Sequence, residues 1–310
     1  MKESSCNSDK DWCIITACLK GKERTQAMEQ QKKVLLAVFA HPDDETFGMG
    51  GTLAYYAQRG VDVYLVCATR GEVGDVDPEM MDGYQSVAEL RESELRCAAS
   101  TLKLAGVFFL NYRDSGMPGS PDNSHPQALA AQDVDQVTAD VVHYIRLLKP
   151  QVVVTFDPIG GYRHPDHIAI QRAAEKAFYQ AGNPGFKGDG LPSFAPSKLY
   201  FNTMPKALLR LGVFFMRITG KDPRRIGKNK DIDLVSIAQV SFPVNAVIDY
   251  RSVSDVRDKA SACHASQGGG GQITGGLMGA LRRTFAAREN YMRAFPEPNR
   301  HREKDLFEGI

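Results

Sequence analysis

Four strand-length runs, KVLLAVFA (33–40), VDVYLVCAT (61–69), VFFLNY (107–112) and PQVVVTFD (150–157), are apolar on both of their alternating faces. A strand apolar on both faces has to be covered on both, as in a parallel sheet sandwiched between helices. Helical patterns separate the runs. TFGMGGTLAYYAQRG (46–60) is an apolar helix with a glycine stop at Gly60. Val87, Leu90, Leu95, Ala98 and Leu102 fall at helical spacing, as do Leu129, Val134, Val137, Val141, Ile145 and Leu148. Strands alternating with helices require right-handed crossovers, so the fold class is α/β with a doubly wound, mainly parallel sheet in a single domain over 33–310.

The flanking segments are less regular. Residues 1–32 mix charges without a sustained period and read as a poorly ordered N-terminal extension or a weak helix, with a second methionine, Met28, as a candidate start. Past residue 182, AGNPGFKGDGLPSFAPS (181–197) is a Pro/Gly-rich loop, SKLYFN (197–202) a strand and PKALLRLGVFFMRI (205–218) a helix. GKDPRRIGKNKD (220–231) reads as a solvated basic loop. FPVNAVIDY (242–250) reads as a late strand, followed by helices near 251–266 and 278–294 with a mobile SQGGGGQITGG (266–276) between them.

Composition narrows the partners. The chain has 38 Lys and Arg against 37 Asp and Glu, a formal net charge of +1, and nothing global favours nucleic acid or a lipid surface. No apolar run approaches the roughly 20 residues of a membrane span, and the N-terminus lacks a secretory pattern. The six cysteines, at 6, 13, 18, 67, 97 and 263, include no C-x-x-C pair, which together with the size of the chain suggests reduced thiols and a cytoplasmic location. A small-molecule substrate fits these bounds.

Two short clusters carry the chemistry. AHPDDE (40–45) follows the first strand, and GGYRHPDH (160–167) follows the fourth. Taken alone, the first is explained by Pro42 in the first helical position with Asp43, Asp44 and Glu45 complementing a helix dipole. A second His-Pro-Asp at the end of another strand weighs against that reading, because α/β folds place their sites at this edge of the sheet. His41, Asp44 and His167 can supply the three N and O ligands of a catalytic zinc, leaving one position for water. Such an ion lowers the pKa of bound water from about 15.7 toward ~7. Asp43, left out of coordination, is suited to act as general base. His164, held by Asp166, and the Tyr162 hydroxyl are candidate oxyanion donors, and Glu45 a candidate for orienting the ligands.

AHPDDE and GGYRHPDH resemble the zinc motifs of the LmbE-like, PIG-L-type family of N-acetylglucosaminyl deacetylases. RDSGM (113–117) and CHASQ (263–267) extend the resemblance to roughly 33–300. It implies a Rossmann-like hydrolase that removes acetyl from an amino-sugar conjugate, with zinc or iron(II) as cofactor and self-association as an expectation. By the same pattern His41, Asp44 and His167 resemble the metal ligands, Asp43 the base, and His164 with Tyr162 the oxyanion groups. Asp114 and Arg91 resemble a sugar-contacting pair. Arg70 and Glu72, in TRGEVGD (69–75), either line the pocket or cap a helix, and His264 resembles a position near the site without an evident task.

Two other functions compete. A dinucleotide-dependent oxidoreductase is disfavoured because GMGG (48–51) lacks the G-x-G-x-x-G order and Thr69 and Arg70 stand where an acid would hold a ribose. A non-catalytic, metal-dependent sugar-binding protein fits poorly with three ligands beside an uncoordinated acid, since closed structural sites usually add a fourth Cys or His.

Overall fold

The computed structural model describes residues 32–186, 190–204, 206–226, 232–270, 287–298 and 300–310. The expected N-terminal extension, apart from Lys32, lies outside these residues. So do much of the glycine-rich connection and part of the basic loop.

Strands β1 (Val34–Phe39), β2 (Asp62–Cys67), β3 (Gly106–Phe109), β4 (Val152–Phe156) and β5 (Lys198–Thr203) are parallel, as expected for the apolar runs of β1 and β4 at their centre. β6 (Ala246–Asp249) and β7 (Arg288–Phe295) complete a seven-stranded sheet in the order β3-β2-β1-β4-β5-β7-β6. β7 runs antiparallel to both of its neighbours. Leu35, Leu36, Ala37 and Val38 of β1 and Val152, Val153 and Val154 of β4 have no exposed surface, so the centre of the sheet is covered on both faces.

The covering helices are α1 (Asp44–Ala57), α2 (Val87–Leu102), α3 (Val134–Leu148), α4 (Pro165–Ala181), α5 (Lys206–Ile218), α6 (Leu234–Gln239) and α7 (Ser254–Cys263). Their starts follow local chemistry. The Ser86 hydroxyl accepts from the Glu89 amide while the Glu89 carboxylate accepts from the Gln85 amide, a reciprocal cap for α2. α3 buries Val137, Val141 and Ile145, four residues apart, and each such side chain contributes about 1.5–3 kcal/mol over its exposed state.

The helix expected over 278–294 is corrected where it is described: Arg288–Phe295 is a strand inside the sheet. Its polar residues hide the strand signal, and two of them find specific partners elsewhere in the fold. Arg293 pairs with Glu303 at 2.6 Å, and Glu289 accepts the amides of Gly51 and Thr52 in α1.

A second correction concerns the cysteines, expected to be reduced. Cys97 of α2 and Cys263 of α7 form a disulfide across 166 residues of sequence, a pairing that no short-range spacing announces. Cys67, by contrast, is a buried free thiol.

β1 and β4 are neighbours, yet the chain leaves β1 toward β2 on one side and β4 toward β5 on the other. The crevice this reversal opens beyond the carboxyl ends of the strands is where open α/β sheets bind ligands. The disulfide ties the helix that faces this crevice to its neighbour. Reduction, or Cys263→Ser, is expected to lower unfolding stability by about 2–4 kcal/mol, read as a shift in the urea midpoint. An unchanged midpoint would contradict the pairing.

Candidate metal centre and its cavity

The two His-Pro-Asp segments come together at the C-terminal ends of β1 and β4. His41 Nδ1 lies 3.2 Å from His167 Nε2, His167 Nε2 lies 3.2 Å from Asp44 Oδ1, and His41 Nδ1 lies 3.5 Å from Asp44 Oδ2. Three donors bonded to one tetrahedral ion at ~2.1 Å stand about 3.4 Å apart, so this trio has the dimensions of a coordination face. Two further groupings also bring ligand atoms together: His41, His164 and His167, and His41, Asp114, His164 and Asp166.

Each imidazole of the trio is braced on its other nitrogen. The His167 Nδ1–H points to the Gly160 carbonyl at 3.3 Å, and its ring stacks on Phe156 with centroids 3.9 Å apart. His41 Nε2 lies 3.0 Å from Asp166 Oδ2. Such outer hydrogen bonds fix the ring orientations and turn Nε2 of His167 and Nδ1 of His41 toward one point, where loss of the His41 proton would free both lone pairs for an ion. Asp166 was expected to hold His164. Its carboxylate instead accepts from the Ser115 amide (2.9 Å) and hydroxyl and faces His41, and only its backbone amide meets His164, at Nδ1. The reason is local: with His164 as N-cap and Pro165 opening α4, the Asp166 amide is the donor nearest the cap, while its side chain turns inward. Ser115 was not singled out from the sequence, although it lies within RDSGM.

The first cluster departs from the simple helix-cap reading. α1 begins at Asp44, so Pro42 lies outside it, and Asp43 takes φ 122° and ψ −29°. A non-glycine residue there costs on the order of 1–3 kcal/mol and persists only when its neighbours impose it. A network of five hydrogen bonds does so. The Asp43 amide donates to Glu45 Oε2 at 3.0 Å, and Glu45 Oε1 is 2.7 Å from His264 Nε2, with both of those side chains fully buried. Arg91 Nη2 donates to the Pro42 carbonyl (2.6 Å) and to Asp43 Oδ2 (3.2 Å), and its Nη1 donates to the Gly71 carbonyl (2.9 Å). Gly71 has to be glycine: a Cβ there would lie 2.1 Å from Arg91 Nη1. His264 is therefore part of the support of Asp43, and Arg91, 4% exposed, is no solvated helix charge.

A cavity of about 680 Å³ opens over this floor. His41, Asp43, Arg91, Asp114, Tyr162 and His164 line it, with Met117 and Gln267 on its wall. Asp114 Oδ1 accepts the Gly116 amide at 2.8 Å and lies 3.5 Å from His41 Nε2. Arg70 is not brought to the cavity; it donates to Glu92 (2.8 Å) and Asn111 (2.6 Å) and rests on the Phe109 ring.

Electrostatics separates the roles. Burial pushes the Asp43 carboxyl up to about 7, against the pull of Arg91. Burial also works to raise Asp44 and Asp114, but His167 beside the first and His41 beside the second hold both carboxyls below their usual range. Burial opposes charging His41, yet Asp114 and hydrogen bonds to three carboxylates raise it well above its ordinary value. His164 is lowered to about 2 by burial and by the neighbouring histidines, so it stays neutral. Burial raises Tyr162, which stays protonated. With Nδ1 accepting from the Asp166 amide, neutral His164 carries its proton on Nε2.

Comparison with known proteins adds to this geometry. Residues 36–178 match the family model described as PIG-L: GlcNAc-PI de-N-acetylase. The chain is 35% identical over 304 residues to the 1D-myo-inositol 2-acetamido-2-deoxy-alpha-D-glucopyranoside deacetylase 2 of Catenulispora acidiphila, covering 90% of this chain and 98% of that protein. Among solved structures it resembles the N,N'-diacetylchitobiose deacetylase of Pyrococcus horikoshii (TM-score 0.57, 21% identity, 94% of each chain). It equally resembles the 4-carboxy-2-hydroxymuconate hydratase GalB of Pseudomonas putida (TM-score 0.57, 19% identity, 86% of this chain and 98% of that one). The last two likenesses show the fold alone, and the second shows that the fold does not decide the chemistry.

The raised Asp43 carboxyl has a thermodynamic signature. The folded state keeps its proton after the unfolded chain has released it, so the stability it contributes is full below about pH 4 and is lost as pH rises through about 7. In metal-stripped protein, urea midpoints of the wild type are expected to fall relative to Asp43→Asn between about pH 4 and 8. Parallel curves for the two proteins would contradict it.

Proposed function

The chain belongs to the PIG-L family, and from that membership together with the geometry of the site we propose that it is a metal-dependent amide hydrolase removing an N-acetyl group from an N-acetylglucosamine-type conjugate. The observation that carries this reading is the trio of His41 Nδ1, His167 Nε2 and the Asp44 carboxylate, 3.2–3.5 Å apart, with uncoordinated Asp43 beside it on the cavity floor. Two braced imidazoles and a carboxylate suit zinc, and the same set also accepts iron(II). When bound, such an ion supplies Lewis acidity that brings a water near neutral pKa.

The rest is performed by the chain. Asp43, with a carboxyl poised near 7, takes a proton from the attacking water and returns it to the departing amine nitrogen. Arg91 and the Glu45–His264 pair hold that carboxyl in place and absorb the cost of its backbone conformation. The Nε2–H of neutral His164 and the Tyr162 hydroxyl donate to the acetyl oxygen as it gains negative charge. Asp114, lining the cavity as a carboxylate, is a hydrogen-bond acceptor for sugar hydroxyls. Arg91 is assigned to Asp43 before substrate.

Release of free acetate from a panel of N-acetylglucosaminides is the direct assay. Asp43→Ala is expected to lower kcat by about 10²–10⁴ while retaining one equivalent of metal. Full turnover after exhaustive chelation would remove the proposal. His264→Ala is expected to lower kcat by up to about 100-fold with KM unchanged, because it acts on the aim of Asp43 and not on substrate. A change confined to KM would assign His264 elsewhere.

A further inference from the structure

Helix α5 presents two apolar faces, and only one is covered. Val213 is buried and Leu209 and Met216 are half-buried on the side toward α6, whose Ala238 carbonyl accepts from Arg210 Nε at 3.2 Å. On the opposite side Leu211, Phe214, Phe215 and Ile218 stand 50%, 57%, 55% and 65% exposed. Their spacing, i, i+3, i+4, i+7, makes one continuous stripe about 100° wide, a pattern that surface helices reserve for the side facing the core. Four large apolar side chains gathered at such exposure mark an interaction surface and not the scatter of a normal surface.

Charge identifies the occupant. From 206 to 233 the sequence holds eight Lys or Arg and three Asp, whereas the whole chain has a formal net charge of +1. Positive charge is thus concentrated on the segment carrying the apolar stripe and is absent as a surplus from the remainder. Arg210 and Arg217, seven residues apart, flank the stripe along one side of α5, and Lys221, Arg224 and Arg225 are exposed just beyond its end. An apolar face bordered by Lys and Arg is the form of a helix that lies in a membrane interface, with rings among the acyl chains and cations at anionic headgroups. We propose that α5 docks the protein on a bilayer surface bearing anionic lipid, lying flat on it without spanning it. The described residues contain no helix long and apolar enough to cross a membrane, in keeping with that mode.

The position of α5 gives the contact a consequence. It begins two residues after Met204, whose methyl lies 3.7 Å from the Cβ position of Gly161, in the turn that carries Tyr162 into the cavity. The docking helix is thus linked through Met204 to the turn that carries Tyr162. The surface stands apart from the proposed hydrolysis, and its test reads binding and not turnover.

Full-length protein is mixed with vesicles of phosphatidylglycerol and phosphatidylcholine, or of phosphatidylcholine alone, and sedimented at low salt. Co-sedimentation with the anionic vesicles, at least 10-fold weaker with neutral ones and weakened by 0.5 M salt, is the expected result. Phe214→Ser/Phe215→Ser, whose side chains are exposed and whose melting temperature is checked against wild type, is expected to abolish it. Arg224→Glu/Arg225→Glu, outside the helix, is expected to weaken it at least 5-fold. Absence of binding to anionic vesicles, or binding that both variants retain, overturns the proposal. So does a wild-type dimer in sedimentation velocity that Phe214→Ser/Phe215→Ser converts to monomer without any vesicle binding in either protein, which would make the face a contact between copies.

Discussion

The side-by-side pairing of β1 and β4 is the constraint on which the site depends. Ala37 of β1 stands opposite Val154 of β4, and both strands are completely buried at that level. Their carboxyl ends are therefore fixed within one strand spacing, and the turns that follow, each containing His-Pro-Asp, must open toward each other. Two and five residues past β1, and in the first turn of α4 eleven residues past β4, His41, Asp44 and His167 converge to within 3.5 Å. All three thus sit in the strand-to-helix turns or in the helix starts that follow them. The rigidity of the sheet is transmitted directly to the ligand set, which lets short side chains meet without losing much conformational entropy.

Around that convergence the chain has accumulated negative charge at zero or near-zero exposure. Asp44, Asp114 and Asp166 all face His41. Buried carboxylates in such number are stable only with compensating positive charge or hydrogen bonds, and here each has both. Ser115, the Gly116 amide and the imidazoles supply part of the compensation, and a divalent ion held by His41, Asp44 and His167 would supply the rest. Asp43 is treated differently: its neighbours constrain its backbone while burial keeps its carboxyl near neutrality. One floor thus carries Asp44 and Asp114 kept ionised and Asp43 kept poised, the separation that hydrolytic chemistry at neutral pH uses.

Much of this was legible in the sequence, for definable reasons. β1 and β4 are almost wholly apolar because they are buried on both faces, so they stand out from the sequence alone. The recurrence of His-Pro-Asp after two of them identifies the site because strand ends are where such folds work. Less could be read where structure depends on contacts distant in sequence. β7 lies inside the sheet beside the edge strand β6, and its Arg293 and Glu289 are satisfied by Glu303 and by the amides of α1, partners that no local period reveals. The Cys97–Cys263 bridge and the Glu45–His264 pair, separated by 166 and 219 residues, are silent for the same reason. Arg91, whose resemblance is to a sugar-contacting residue, lines the cavity, and its buried guanidinium also donates to Pro42 and Asp43, contacts that its place on a helix does not reveal.

Whether both imidazoles bind one ion decides the account. X-ray absorption on zinc-loaded protein, compared with His167→Ala, measures this directly. Two imidazole nitrogens and oxygen ligands at about 2.0–2.2 Å, with one nitrogen lost in the variant, is the outcome that follows from the geometry described. A shell containing sulfur, or one that His167→Ala leaves unchanged, would mean that the two strand ends meet without sharing a metal.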